Sequence, residues 1–250
     1  MLMKILGIIP ARMGSSRFPG KPLKKINGIP MVEYVYNNIK KNKLISDLYI
    51  ATCDKEIFNH CKSIKANVVM TSKIHERASE RCAEALIKIE KKNNVKYDII
   101  VMVQGDEPMI NSNMVNQSLK PMIKNNHIQV TNLLGKIVNI EEFHDKNCIK
   151  VVTNKNLDAI YFSRYPIPFY ADFQNKNVGK QICVIPFRRR FLLMYNSWKI
   201  SPLEKLESID MLRVIENGYY VRMVRTKHKS FSVDTAEDLK KVSRILGDNK

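Results

Sequence analysis

Short, nearly unbroken apolar runs separated by segments of helical period constrain this chain more than any other feature. Lys4–Ile9 is apolar after its first residue, and Asp98–Val103 is almost wholly apolar. A strand wetted on one side alternates polar and apolar residues, so a strand without alternation is covered on both faces. Between these runs, Pro30–Lys41 carries Met31, Val35 and Ile39 four apart, and Ser79–Lys91 carries Cys82, Leu86 and Ile89, with Ser79 a candidate N-cap. Leu48–Thr52 reads as a further strand. Buried strands alternating with helices predict an α/β fold with a Rossmann-like, mostly parallel sheet. In such sheets the functional loops lie beyond the carboxyl ends of the strands. Two loops qualify, Pro10–Pro22 and Gln104–Pro108.

The second half is richer in strand candidates: Gln129–Leu133, Cys148–Thr153, Ala159–Phe162, Gln181–Phe187 and Tyr219–Val224. Asp172–Gly179 is polar and reads as a loop. Near the end, Thr235-Ala-Glu-Asp238 has the form of a capping box, followed by Leu239, Val242 and Ile245 at helical spacing. No linker rich in Gly or Pro interrupts the 250 residues, so one domain spanning 1–250 is the simplest organisation, with about 145–195 as a β-rich region.

The net charge of +18 could be the footprint of a nucleic-acid binder or a lysine-rich solvated surface. The basic residues are scattered, and Arg188-Arg189-Arg190 is the densest run. That favours the solvated surface, with no nucleic-acid partner, and it suits small anionic substrates. Five Cys without a C-x-x-C pair point to reduced thiols and a cytoplasmic setting. The apolar N-terminal run is too short for a membrane span and leads into a polar loop, so no membrane partner is expected.

The loop Pro10-Ala-Arg-Met-Gly-Ser-Ser-Arg-Phe-Pro-Gly-Lys-Pro22 combines small residues with Arg12, Arg17 and Lys21. Small residues let backbone N–H groups approach an anion, and the cations add charge-assisted hydrogen bonds. It is neither a Walker A loop nor a dinucleotide fingerprint. It reads equally as a phosphate cradle or as a basic surface turn. Gln104-Gly-Asp-Glu-Pro108 places carboxylates after a buried strand, and Asp234 supplies another before the last helix. Such groups either sit in solvated turns or hold a hard cation beside substrate phosphates.

Together these segments resemble the sugar-activating nucleotidyltransferases, most closely the 3-deoxy-manno-octulosonate (Kdo) cytidylyltransferases. The resemblance rests on Ile8-Ile-Pro-Ala-Arg12, Ser16-Arg17, Pro19-Gly-Lys-Pro-Leu23, Val103-Gln-Gly-Asp-Glu-Pro108 and Val233-Asp-Thr-Ala-Glu-Asp-Leu239. It implies a three-layer α/β sandwich of the nucleotide-diphospho-sugar transferase type and transfer of CMP from CTP to a small acidic sugar. It further implies Mg2+ on Asp106 and Asp234, with Arg12 and Lys21 on the phosphates, supported by Arg17. Nucleotide contacts are implied for Pro10, Ala11, Arg12, Ser16, Arg17, Lys21, His75, Arg81 and Gln104. Acceptor contacts are implied for Arg164, in Phe162-Ser-Arg164, and for Gln181, Asp210 and Met211. A homodimer built through the β-rich region is implied as well.

Three places depart from the family pattern. Ala78 replaces a Gly near the nucleotide, Gln181 replaces a His with Pro186 nearby, and Asp210-Met211 replaces a Glu-Gln pair. These departures suggest a changed acceptor, a modified Kdo or another small acid. The alternatives are plain Kdo activation for lipopolysaccharide synthesis and an inactive homologue that binds without catalysis.

Overall fold

The computed structural model describes residues 3–15, 17–170, 173 and 175–247. Ser16, Asp172 and Gln174, on which sequence expectations fall, lie outside the described residues. The chain groups into two compact units, Met1–Asn116 with Ser230–Lys250, and Gln117–Lys229.

The first unit begins with β1 (Ile5–Ala11), buried along nearly its whole length. A 3-10 turn at Lys21–Leu23 follows, then a hairpin of β2 (Lys25–Ile26) and β3 (Ile29–Pro30). Next come α1 (Met31–Lys40), β4 (Asp47–Thr52), α2 (Lys55–Ser63), β5 (Val68–Met70), α3 (Ala78–Asn93), β6 (Ile99–Val103) and α4 (Ser112–Lys124). The unit boundary falls within α4, after Asn116.

Within this unit the strand order is β6-β1-β4-β5, and all of its pairings are parallel. All five residues of β6 are buried, as a run without alternation requires. The expected strands are present, and β1 extends two residues beyond Ile9, through Pro10. From β1 the chain builds outward to β4 and β5, then returns to place β6 on the other side. That reversal opens a crevice between the carboxyl ends of β1 and β6, the usual ligand site of open α/β sheets.

The second unit contains β7 (Thr131–Gly135), α5 (Ile140–His144), β8 (Lys150–Thr153), β9 (Ala159–Ser163), β10 (Val178–Ile182), β11 (Val184–Arg188), α6 (Arg189–Ser197), α7 (Pro202–Glu207), α8 (Met211–Glu216) and β12 (Arg222–Arg225). Its sheet order is β12-β7-β10-β8-β9, with β12 parallel to β7 and the other pairs antiparallel. The chain then re-enters the first unit, ending in α9 (Ala236–Gly247).

Three expectations need correction. The strand expected at Gln181–Phe187 is two strands separated at Cys183. The loop expected at Asp172–Gly179 ends early, because Val178 and Gly179 open β10. Ser79 does not cap α3; it is buried inside the first turn, and Arg77 is the N-cap. Glu80 Oε2 accepts the Glu76 N–H at 3.0 Å and the Arg77 N–H at 3.1 Å, which ties the entering chain to the first turn of α3. The capping box of α9 forms as read: Thr235 Oγ1 accepts from Asp238 N at 3.2 Å, and Asp238 Oδ2 accepts from Thr235 N at 2.9 Å.

In the second sheet, β10 passes so close to β7 that a Cβ on Gly179 would stand 2.5 Å from the Gly135 carbonyl oxygen. Backbone blocks that position, so no rotamer change relieves it. Gly179→Ala is expected to cost about 2–3 kcal/mol of stability, read as a lower urea midpoint at unchanged denaturant slope.

Candidate active site

A cleft of about 280 Å³ opens at the carboxyl ends of β1 and β6, with walls from the first unit. The loop after β1 forms one side. Its backbone turns back on itself, with Met13 O accepting from Ser15 N at 2.9 Å and Gly20 N at 3.1 Å. Asp54, just after β4, anchors it by accepting the Met13 N–H at 2.8 Å. The loop after β6 forms another side. Gly105 lets it lie against β1: a Cβ there would meet the Pro10 carbonyl oxygen at 3.3 Å.

The returning chain supplies the third element. Val233 N–H donates to Asp106 O at 2.9 Å, so the segment before α9 is hydrogen-bonded to the loop after β6. Ser230 Oγ donates to Glu107 Oε2 at 2.7 Å. Val233 and Val242 pack with Ile26 and Met31 in an apolar cluster that seats α9. Burial thus fixes where Asp234 stands, although Asp234 is far from Asp106 in sequence.

The three elements meet at one ammonium group. Lys21 Nζ lies 2.7 Å from Asp106 Oδ2 and 3.3 Å from Asp234 Oδ1, and Arg17 Nη2 lies 3.0 Å from the same Asp234 oxygen. Burial is the largest influence on Lys21 and would lower its pKa. The charges and hydrogen bonds of Asp106 and Asp234 outweigh it and raise the pKa above its ordinary value. Lys21 is therefore held as a cation. Asp106 Oδ1 is buried and has no hydrogen-bond partner among the described residues.

Pro10, Ala11, Arg12, Arg17, Lys21, His75, Arg81, Gln104, Asp106 and Asp234 all line the cleft. The structure therefore brings together every described residue expected at the nucleotide and metal sites. Ala78 lines it too. As the first residue of α3 it adopts no positive φ, so the departure from Gly there imposes no backbone strain.

The four acceptor candidates belong to the second unit. The Arg164 guanidinium donates to backbone carbonyls, from Nε to Glu207 at 2.8 Å and from Nη1 to Lys146 at 2.9 Å. Gln181 Nε2 donates to Asn132 Oδ1 at 2.6 Å. Asp210 is the N-cap of α8, and its carbonyl accepts the Tyr195 hydroxyl at 3.0 Å. Met211 is fully buried. Sequence reasoning passed over Asp54, Thr71 and Glu84, which hold the cleft loops from behind. None sits in a recognisable motif, and only the fold shows what each one grips.

A cytidylyltransferase family profile matches residues 6–241. The 3-deoxy-manno-octulosonate cytidylyltransferase of Fusobacterium nucleatum is 40% identical over 99% of this chain and 98% of its own length. That of Geobacter metallireducens is 39% identical over 98% of each chain. A solved CMP:2-keto-3-deoxy-manno-octonic acid synthetase complexed with CTP superposes with a TM-score of 0.88 at 32% identity, covering 99% of this chain and 100% of that one. The 4-diphosphocytidyl-2C-methyl-D-erythritol synthase of Anaerococcus prevotii shares the fold at a TM-score of 0.63 and 11% identity, over 98% of this chain and 99% of its own.

Lys21→Met would leave two carboxylates facing each other without their shared cation. The expected loss is about 1–2 kcal/mol of unfolding free energy, moderated by partial solvent screening, measured by urea titration without nucleotide. Lys21→Arg should recover only part of it, because a planar fork does not replace a point charge between two carboxylates.

Proposed function

This chain belongs to the cytidylyltransferase family, and from that premise we propose that it transfers CMP from CTP to Kdo, releasing pyrophosphate. The observation that carries this reading is the meeting of Lys21, Asp106 and Asp234 at the switch point of a parallel sheet, beside a loop bearing Arg12 and Arg17. A cluster of cations on the loop after β1, next to paired carboxylates, suits a triphosphate handled together with a hard cation.

The residues fit Mg2+. Asp106 offers a buried oxygen with no hydrogen-bond partner among the described residues, and Asp234 lies across the same ammonium. Among the described residues no group of three or more His, Cys, Asp or Glu gathers to form a cage. Mg2+ is characteristically held by one or two carboxylates together with substrate phosphates and water. Asp106 and Asp234 would hold it, and it would supply charge that neutralises the transferred phosphate.

In the reaction, a hydroxyl of the acceptor attacks the α-phosphorus and the bond to the β-phosphate oxygen breaks. The protein positions the reactants and neutralises charge. Arg12 and Lys21 bind phosphate oxygens and stabilise the leaving pyrophosphate, and Arg17 supports them. His75, Arg81 and Gln104 bind the nucleotide along the cleft wall. Arg164, Gln181 and Asp210 serve the acceptor side, with Met211 as packing beneath it.

The comparisons support Kdo better than a changed acceptor, and the local environments agree. Ala78 opens a helix without strain, Met211 is absorbed into the core, and Gln181 is satisfied by Asn132. None of these departures demands a different sugar. We also propose a homodimer through the second unit, where Tyr165, Phe169 and Tyr170 are 79%, 101% and 81% exposed. Large aromatic side chains left in water mark an interaction surface, and a second copy is the partner the family resemblance implies.

Pyrophosphate release should be followed with Mg2+, crossing four nucleoside triphosphates with Kdo and a panel of small acidic sugars. CTP with Kdo is the expected productive pair. Asp106→Ala and Lys21→Met should each lower kcat/KM by at least about 100-fold. Release with CTP and another acid, but not with Kdo, would overturn the acceptor assignment and restore a re-specialised pocket.

A further inference from the structure

The segment between β5 and α3 carries His75 to the cleft, and two side chains of α3 grip it. Arg81 and Glu84 lie three residues apart and so share a helix face. They divide the polar groups of residues 71–75 by sign. Arg81, itself buried, donates to Thr71 Oγ1, to the Ser72 carbonyl at 3.2 Å and to the His75 carbonyl at 3.4 Å. Glu84 takes the donors: its Oε2 accepts the Ser72 N–H at 2.8 Å and forms a short hydrogen bond with His75 Nε2. Its other oxygen lies 2.6 Å from Lys88 Nζ, which also donates to the Met70 carbonyl at 2.9 Å.

Burial, the largest influence on Glu84, would raise its pKa. Its hydrogen bonds with Lys88, the Ser72 N–H and His75, and the Lys88 charge, together outweigh burial and bring the pKa down to about 2. The group facing His75 is then a full carboxylate at neutral pH. A carboxylate can only accept, so Nε2 carries a proton. In the neutral ring this leaves Nδ1 as the acceptor nitrogen, with the tautomer set by the partner of the other nitrogen.

We propose that Glu84 is a positioning residue for nucleotide binding, holding His75 in one orientation and one tautomer on the cleft wall. The ring and its loop are then in place before the nucleotide arrives, which lowers the cost of ordering them on binding. The inference rests on reading this cleft as the nucleotide site. Were Glu84 only a tie between helix and loop, its removal would lower stability and leave nucleotide affinity alone.

The test is Glu84→Gln in the full chain. The amide carbonyl can still accept the Ser72 N–H, while the charge that fixes the proton on Nε2 is gone. The CTP dissociation constant by calorimetry, and KM for CTP, should rise about 10-fold with kcat within about twofold. The His75 ring 15N signals should shift from a single tautomer to a mixture. Lys88→Gln leaves Oε2 in place and should preserve both properties. His75→Ala should weaken CTP binding by a similar factor, and adding Glu84→Gln to it should weaken binding little further. Unchanged CTP binding in Glu84→Gln, or fully additive effects in the double variant, would overturn the role of Glu84 alone. A wild-type protein that binds no CTP would overturn the cleft assignment itself.

Discussion

The contact of Lys21 with Asp106 and Asp234 is where the packing constraints of the first unit converge. It joins residues 85 and 213 positions apart in sequence. Such a contact cannot form locally; it exists only after the sheet has put β1 beside β6 and the final segment has docked. Each partner is held by something other than the charge itself. Lys21 begins a turn braced at Met13, Asp106 follows a fully buried strand, and Asp234 sits between Val233 in the core and the capping box of α9. The ion cluster is therefore a readout of correct packing and not its cause. This agrees with the modest worth of partly exposed ion pairs.

The central strands were legible because burial on both faces writes itself as unbroken apolar sequence. Lys4–Ile9 and Asp98–Val103 gave away β1 and β6, and the loops beyond them contain the cleft. The capping box at Thr235 was legible for a different reason: its chemistry is local, needing only Thr235 and Asp238 three apart. What could not be read was set by tertiary contact. Ser79 has the chemistry of an N-cap, yet it is buried within the first turn of a helix whose N-cap is Arg77. Val184–Phe187 is as strand-like as Gln181-Ile182, and nothing in the residues announces the break at Cys183 between β10 and β11.

The site shows the same division. Lys21, Asp106 and Asp234 stand in segments that match the family pattern, and the fold brings all three to one cleft. Asp54 and Glu84 do not. A carboxylate that accepts a backbone N–H looks in sequence like any surface acid, and only the fold shows that Asp54 grips Met13 and Glu84 grips Ser72 and His75. These groups tie the segments that carry the cleft residues to the rest of the first unit, and no pattern in the sequence marks them.

The three departures from the family pattern suggest how far a substitution can be read without its environment. Losing a polar partner is costly when a buried ligand hydroxyl depends on it, and on residue identity alone that argues for a changed acceptor. That argument holds only where the residue faces the ligand, and a side chain that the protein itself buries or pairs needs no change of ligand to explain it. Ala78 needs no positive φ, because α3 begins at that position, and helical geometry suits Ala better than Gly. Met211 is fully buried at the start of α8, where a flexible apolar chain fills space that a Gln could occupy only with partners for its amide. Gln181 finds its partner in Asn132, whose own amide donates to the Ile182 carbonyl at 2.7 Å, closing a small network inside the second unit. Each departure is thus self-contained within its unit, while Arg12, Lys21, Asp106 and Asp234, which line the cleft of the first unit, keep the family pattern.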